Sequence, residues 1–408
     1  MSASRKESFG SPSVFLPASI TPQPIALAGV AGTLLAVGLI QLTHVGPMLA
    51  TLVLLGATAA PMWCLELRRF SGHRRPLGRP NEKRKALRVA GLVALCALFT
   101  LTLSLFRSTP ARPVVDNMLL PLLAAAAAWM GWILLRSPSR GLDSVERVGL
   151  ALLRGLRARR RPGDLQAFLG WLVKAFYLPL MAGSCYVFLA TFREPLSSAT
   201  GFALLFALAY QLLFAVDTAF ATVGYMSTSR RIQAHIRRAE PTLLGWCAAL
   251  VCYPPFNLVV LHQWLAYRDG FEWNDWMAGS PWLAAAWGSA CLLSMAIYVW
   301  ATVSFGLRFS NLTHRGIITS GPYRYTKHPS YLAKNAAWWL ISIPFVSPLG
   351  WQAALANSLA LAAIGGIYWV RAKSEERMLM KDPVYRAYAG WITEHGAWAR
   401  LRRFTARG

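Results

Sequence analysis

Carboxylates are scarce in this chain. Its 408 residues hold 17 Asp and Glu against 42 Lys and Arg, and charged residues of either sign make up only 14%. So little charge beside 55% apolar residues excludes an ordinary soluble domain and points to a membrane protein. Paired thiols are missing as well. Cys64, Cys96, Cys185, Cys247, Cys252 and Cys291 stand inside apolar runs and form no C-x-x-C, so neither a disulfide framework nor a metal site is expected from them. They read as small buried apolar residues. The apolar runs also lack period-two alternation, which excludes a β-barrel, because barrel strands face lipid and lumen in turn.

What the chain does have is long runs of Leu, Ala, Val, Phe and Trp. Crossing about 30 Å of hydrocarbon takes roughly 20 apolar residues in a helix. Ten runs approach that length: Ile25–Leu42, Pro47–Leu65, Val89–Phe106, Val114–Leu135, Ala167–Phe192, Gly201–Met226, Leu243–Trp264, Trp282–Gly306, Tyr331–Val346 and Trp351–Val370. Lipid cannot satisfy free backbone groups, so the runs must be helices. The expected fold class is all-α, a polytopic integral membrane protein of about ten transmembrane helices.

A net charge of +25 would suggest nucleic acid in a soluble protein. Its distribution argues otherwise. With a cytoplasmic N-terminus, the loops holding Arg68–Arg88, Arg136–Arg161, Arg230–Arg238 and Arg308–Lys334, together with both tails, carry 37 of the 42 Lys and Arg. Only Arg107, Arg112, Arg193 and Arg268 fall outside, and Lys174 lies within a run. Ten helices with both termini cytoplasmic therefore satisfy the positive-inside rule at every loop. The basic runs are expected to meet anionic lipid headgroups, and no nucleic-acid partner is expected. Val145–Arg161 has the pattern of an amphipathic helix lying on that surface. Arg5 and Lys6 precede an apolar run as in a signal peptide, but its unbroken length favours a retained span.

Three regions follow from this reading. Residues 1–24 are expected to be a disordered cytoplasmic lead-in. Residues 25–240 form a six-helix membrane region of no assigned role. Residues 241–408 differ in character, rich in Trp and Tyr, kinked by Pro254-Pro255, and bearing an acidic, aromatic outer loop at Tyr267–Gly279. Ionisable residues at membrane depth are costly and mark candidate functional positions. Asp217 is the clearest of these. Lys174 and Glu66 lie nearer helix ends, where long stems let the charge reach the headgroups, and Lys174 is also in a position to pair with Asp217.

The chemistry concentrates in a polar, glycine-rich stretch from Gly306 to Tyr331. Ser320-Gly321-Pro322 is turn chemistry, and His328-Pro329 suits the start of a helix whose free N–H groups can hold a carboxylate. Beyond the last run, Glu375 and Glu376 stand about one turn past the membrane. The last two runs form a hairpin, so its cytoplasmic ends bring His328 and Arg324 near Glu375 and Glu376, a setting suited to a zwitterion. Tyr331, Trp338 and Trp339 offer aromatic faces to a cation. Arg308, Asn311, Lys334 and Asn335 are the polar residues beside this site and are expected to bind the substrate.

Gly321-Pro322-Tyr323-Arg324-Tyr325-Thr326-Lys327-His328-Pro329-Ser330-Tyr331, followed by a helical hairpin and Glu375-Glu376, resembles the isoprenylcysteine carboxyl methyltransferases and phospholipid methyltransferases. The resemblance covers roughly Trp282 to Tyr388. It implies S-adenosylmethionine as cofactor, with Gly321, Pro322, Tyr323 and Arg324 as its loop and His328, Pro329 and Tyr331 as contacts. It also implies Glu375 and Glu376 as partners of its ammonium or ribose hydroxyls. Lys327 stands where the family usually has Arg, which keeps charge and loses the bidentate fork.

The expected activity is methyl transfer to a membrane-embedded acceptor, an isoprenylcysteine carboxylate or a lipid headgroup, that enters from the bilayer. Such a transfer needs positioning rather than a covalent enzyme group. A carboxylate acceptor would need no base, whereas a protonated amine would, and Glu376 or a neutral His328 are the catalytic candidates. Two alternatives are an NADPH-dependent sterol-type reductase, whose charged tail with paired tyrosines Tyr385 and Tyr388 could match, and a non-enzymatic transporter or scaffold built on the first six helices.

Overall fold

The computed structural model describes residues 15–43, 45–72, 77–109, 112–138, 141–155, 162–192 and 201–406. Residues 1–14 of the expected lead-in with Arg5 and Lys6, residues 156–161 of the expected amphipathic segment, and Arg193 lie outside them. The described chain is an all-α membrane protein. Seven helices are long and apolar enough to cross a bilayer: Gln23–Thr43, Pro47–Arg69, Glu82–Arg107, Pro162–Ala190, Gly201–Met226, Pro281–Val303 and Trp351–Leu379. Large apolar side chains such as Leu35, Leu101 and Leu359 point outward from them. That inversion is expected where hydrocarbon is the solvent.

The other three runs are not continuous long helices. Val114–Leu135 divides into a five-residue helix, Arg112–Asp116, and a 17-residue helix, Leu119–Leu135. Leu243–Trp264 breaks into Leu243–Leu250, Phe256–Val259 and a π-turn at Val260–Trp264, because Pro254 and Pro255 cannot donate to a helical ladder. Tyr331–Val346 is helical only within Pro329–Ser342, which stops at Ile343 in the left-handed region at φ 42°. The strands are two-residue bridges, Leu77–Gly78 with Ser137–Pro138 and Arg238–Ala239 with Thr313–His314.

Small residues let the first helices approach closely. A Cβ on Gly32 would lie 2.1 Å from the Ala57 carbonyl oxygen, so only glycine permits that crossing. The main core, including Ile40, Leu54, Met62, Leu189, Phe220 and Val299, packs the N-terminal helices against Pro281–Val303. The helix Ser144–Arg154 opens with a capping box from Asp143 and Glu146. Rather than lying alone on a surface, it packs on Glu82–Arg107, where a Cβ on Gly149 would sit 1.9 Å from the Leu87 carbonyl. Arg84 and Arg88 cross that seam to the buried Glu146, at 2.7 and 2.9 Å.

Hydrogen bonds sort the helix ends onto two faces. On one, Arg308 after Pro281–Val303 pairs with Glu66 near the end of Pro47–Arg69, and its Nη2 donates to the Ile232 carbonyl at 2.7 Å. On the other, Asn357 donates to Asp269 at 3.2 Å, and Arg107 lies 3.0 Å from Asp116. Described parts of the basic loops meet on the first face: Arg69 donates to the Ile20 carbonyl, Arg238 pairs with His314 in the two-residue bridge, and Arg315 donates to the Ala234 carbonyl.

Several buried groups differ from the sequence reading. Glu66 does not reach toward headgroups but is fully buried against Arg308. Lys174 does not pair with Asp217: it donates to Thr228 and sits 4.3 Å over the Trp171 ring. Asp217 instead accepts from the Tyr298 hydroxyl at 2.7 Å. Of the cysteines, Cys185 and Cys291 are buried, whereas Cys64, Cys96 and Cys247 face outward. The described end of the lead-in is ordered against the polar stretch, with Ile20 N–H donating to the Ile317 carbonyl at 3.0 Å and Thr319 donating to the Pro17 carbonyl at 2.7 Å.

Candidate active site

The site is built where Pro281–Val303 ends and the polar stretch folds back beneath it. Gly321 has φ +61°, and a Cβ there would lie 2.5 Å from Ser304 Oγ, so both backbone conformation and space demand glycine. Pro322 then fits the 3-10 turn Gly321–Arg324, and Pro329 opens the helix Pro329–Ser342 with His328 just ahead of it. Past the long helix Trp351–Leu379, Asp382 caps Pro383–His395 by accepting from Val384 N–H at 2.8 Å. That tail helix docks through Tyr388, whose hydroxyl donates to the Tyr323 carbonyl at 2.7 Å.

The hairpin brings its two ends into direct contact. His328 Nε2 lies 2.9 Å from Glu376 Oε1, and Lys327 Nζ is 3.1 Å from the same oxygen. Lys373 holds the other oxygen at 3.2 Å. The Tyr331 hydroxyl donates to Glu375, and Arg371 Nε approaches that carboxylate at 3.4 Å. Buried Arg371 also donates to Asn311 Oδ1 at 2.6 Å, and its guanidinium stacks 5.0 Å over the Tyr331 ring. Above these groups opens a cleft lined by Tyr253, Tyr298, Tyr331, Tyr368 and Glu375 among others. Aromatic faces, one carboxylate and several cations thus surround one partly enclosed volume.

Comparison with known proteins bears on the same segment. Residues 283–381 match the isoprenylcysteine carboxyl methyltransferase (ICMT) family model. The match is about a quarter of the chain. It starts within Pro281–Val303 and ends just past Trp351–Leu379, so it spans the hairpin and leaves out the N-terminal helices and the tail helix. No curated protein and no solved structure matches the chain.

Within the ICMT-matching segment, Tyr323, His328, Tyr331, Glu375, Asn311 and Lys334 line the cleft, and Glu376 stands behind His328. Others lie elsewhere. Arg324 is exposed, whereas Gly321, Pro322 and Pro329 are buried in the turns that shape the loop. Asn335 bonds back to the Tyr331 carbonyl at 2.8 Å, and Trp338 packs on Tyr368 with centroids 5.2 Å apart, so neither faces the cleft. Trp339 joins the same hydrophobic cluster. Arg308 touches the cleft wall, but its terminal nitrogens are taken up by Glu66, Thr21 and the Ile232 carbonyl, a structural clamp in place of acceptor recognition.

Sequence reasoning missed Tyr253, Tyr298, Arg371 and His314, all of which line the cleft. Arg371 had a signal, since it lies one helical turn before Glu375. His314 had one too, standing within the polar stretch Gly306–Tyr331, whereas Tyr253 and Tyr298 come from apolar runs.

His314 joins the cleft to the tail. Its Nδ1 accepts from Gly316 N–H at 3.3 Å, which leaves Nε2 to donate to Asp382 at 2.8 Å. Burial pushes its pKa below the ordinary 6.5, against the pull of Asp382. The unfolded or undocked chain therefore takes up a proton first, so stability from this contact is complete above about pH 6.5 and falls as pH drops toward the folded value. Hydrogen exchange across Pro383–His395, corrected for the intrinsic rate, should accelerate on acidification from about pH 7.5 to 5.5. His314→Gln should remove that dependence. Protection that is the same at both pH values in the unaltered chain would contradict the assignment.

Proposed function

We propose that the cleft binds S-adenosylmethionine and that the chain transfers its methyl group to an acceptor entering from the bilayer. The observation that carries this reading is the meeting of His328 and Tyr331 with Glu375 and Glu376 across the hairpin that matches the ICMT model. The residues fit the donor. Glu375 suits an ammonium or ribose hydroxyls, and Tyr253, Tyr298, Tyr331 and Tyr368 suit a sulfonium by cation–π attraction. Two buried groups on the cleft wall, the Tyr385 hydroxyl and Thr313 Oγ1, have no hydrogen-bond partner among the described residues, as expected of a site shaped for a polar ligand.

When bound, the sulfonium supplies an electrophilic methyl group whose transfer needs no covalent enzyme intermediate. The protein's part is orientation and exclusion of water. Glu376 holds His328 and Lys327 in one geometry, and Arg371 holds Glu375 against Asn311. The tail helix, anchored by Tyr388 and Asp382, covers the side of the cleft away from the membrane helices. Lys334 stands 5.0 Å over the Tyr298 ring and is our choice, with Asn311, for the acceptor. A carboxylate acceptor would pair with Lys334 and need no base, whereas an amine would lose its proton to His328. The face holding the cleft also gathers the basic loops, and we assign it to the cytoplasm on the positive-inside rule.

Calorimetric titration of the detergent-purified chain should give saturable binding of S-adenosylhomocysteine and none of NADPH. Saturation by NADPH alone would replace this reading with a reductase. Incubating membranes with methyl-labelled donor then separates acceptors: base-labile label reports an ester, and stable label in the lipid extract reports a methylated amine.

A further inference from the structure

A second cleft lies between Ser144–Arg154, the helix beginning at Pro162, and the connection 227–239. It shares no lining residue with the first. Arg147, Lys174, Arg230, Arg237 and Arg238 all line it, against one carboxylate, Asp143. That carboxylate is already engaged, with one oxygen on Arg88 at 2.5 Å and the other accepting two N–H groups of the following helix at 2.9 Å. Outside the lining, Asp164 forms an ion pair with Arg147 at 3.7 Å.

Such a concentration of like charge around a recess is unfavourable unless an anion enters it. The hydrogen-bond inventory gives the same result. Arg238 Nη1 and Trp171 Nε1 are buried donors without a partner among the described residues, and both line this cleft. A buried donor left unpaired has given up its water without a replacement. What is missing is therefore an acceptor group. The cleft also has an apolar wall at Gly170, Trp171 and Ile236, where a Cβ on Gly170 would touch Ile236 at 3.3 Å.

We propose that this recess is an anion site for a phosphate group, carried by a lipid headgroup or free in solution. Arg238 and Trp171 donate to phosphate oxygens, Lys174 supplies charge from below, and Arg237 stands at the rim. A lipid would lay its first methylenes along the Trp171–Ile236 wall.

The test uses the full chain in detergent, with phosphatidylglycerol and inorganic phosphate as probes. Native mass spectrometry should show retained phosphatidylglycerol, weakened at least tenfold in Arg238→Gln and severalfold in Arg237→Gln. Replacing two exposed cations elsewhere, Lys83→Gln with Arg402→Gln, should leave it unchanged. If inorganic phosphate alone binds, with the same dependence on Arg238, the site takes the free ion; if only the lipid binds, it takes the headgroup. Should circular dichroism find Arg238→Gln unfolded, Arg237→Gln and Arg147→Gln decide. Equal retention by these variants and the unaltered chain, an equal loss in the Lys83/Arg402 control, or no binding of either probe would overturn the proposal.

Discussion

Replacing Arg371 with methionine is expected to lower the proposed methyl transfer by about 10²- to 10⁴-fold, on the strength of two charge-assisted hydrogen bonds worth about 1.5–3 kcal/mol each. The side chain lies buried at the floor of the cleft and holds Glu375 on one side and Asn311 on the other. It also lies within 6 Å of the ring centroids of Tyr253, Tyr331 and Tyr368. Methionine preserves much of the packing but leaves Glu375 to rotate about its bond to Tyr331. Arg371→Lys keeps the charge without the fork, since an ammonium cannot serve Glu375 and Asn311 in one plane, and should fall between the two. Steady-state rates at varied donor concentration, with S-adenosylhomocysteine affinity measured separately, tell a lost binding contact from a misplaced carboxylate. Unchanged rates in Arg371→Met would remove Glu375 positioning from the mechanism.

The parts of the site that were legible beforehand are those set by local geometry. Run lengths define a hairpin, which leads to the expectation of His328 and Arg324 beside Glu375 and Glu376; His328 is there, whereas Arg324 is exposed and Tyr331 is the residue that meets Glu375. Gly321 and Pro322 were legible for their turn chemistry, though they turn out to shape the loop while Tyr323 faces the cleft. What escaped depends on partners far away in sequence. Arg308 carries a charge beside the site and so reads as a recognition residue, yet Glu66, 242 positions earlier, occupies it. Tyr253 arrives through a break at paired prolines whose bend direction has no local signature. Seven of the ten runs are continuous long helices among the described residues, because apolar composition measures how much of a run prefers lipid and says nothing of where a backbone stops, as at Ile343.

The N-terminal helices, which the ICMT match leaves out, have a structural part in the cleft that a substitution at Arg315 would expose. Arg315 is buried and meets no carboxylate among the described residues. Its guanidinium donates to the carbonyls of Ala234 at 2.8 Å, Gly224 at 2.8 Å, Phe309 at 2.8 Å and Ser227 at 3.0 Å. Burial, with Arg308 nearby, draws its pKa down to about 9, so it remains a cation at neutral pH. Those four carbonyls belong to the end of Gly201–Met226, the connection after it, and the polar stretch beneath Pro281–Val303. One side chain thus fastens the loop carrying Asn311 and His314 to the N-terminal region. Arg315→Ala would strand the carbonyls away from water and should destabilise the chain by roughly 3–5 kcal/mol. Lysine, with three donors and no plane, should recover only part of that. Unfolding in mixed micelles, followed by loss of helix as denaturing detergent is raised, would measure both against Arg402→Ala, an exposed cation expected to change stability by about 0.5 kcal/mol or less. A midpoint for Arg315→Ala equal to that of Arg402→Ala would mean that the polar stretch stands without this brace, and the N-terminal helices would lose their part in shaping the cleft.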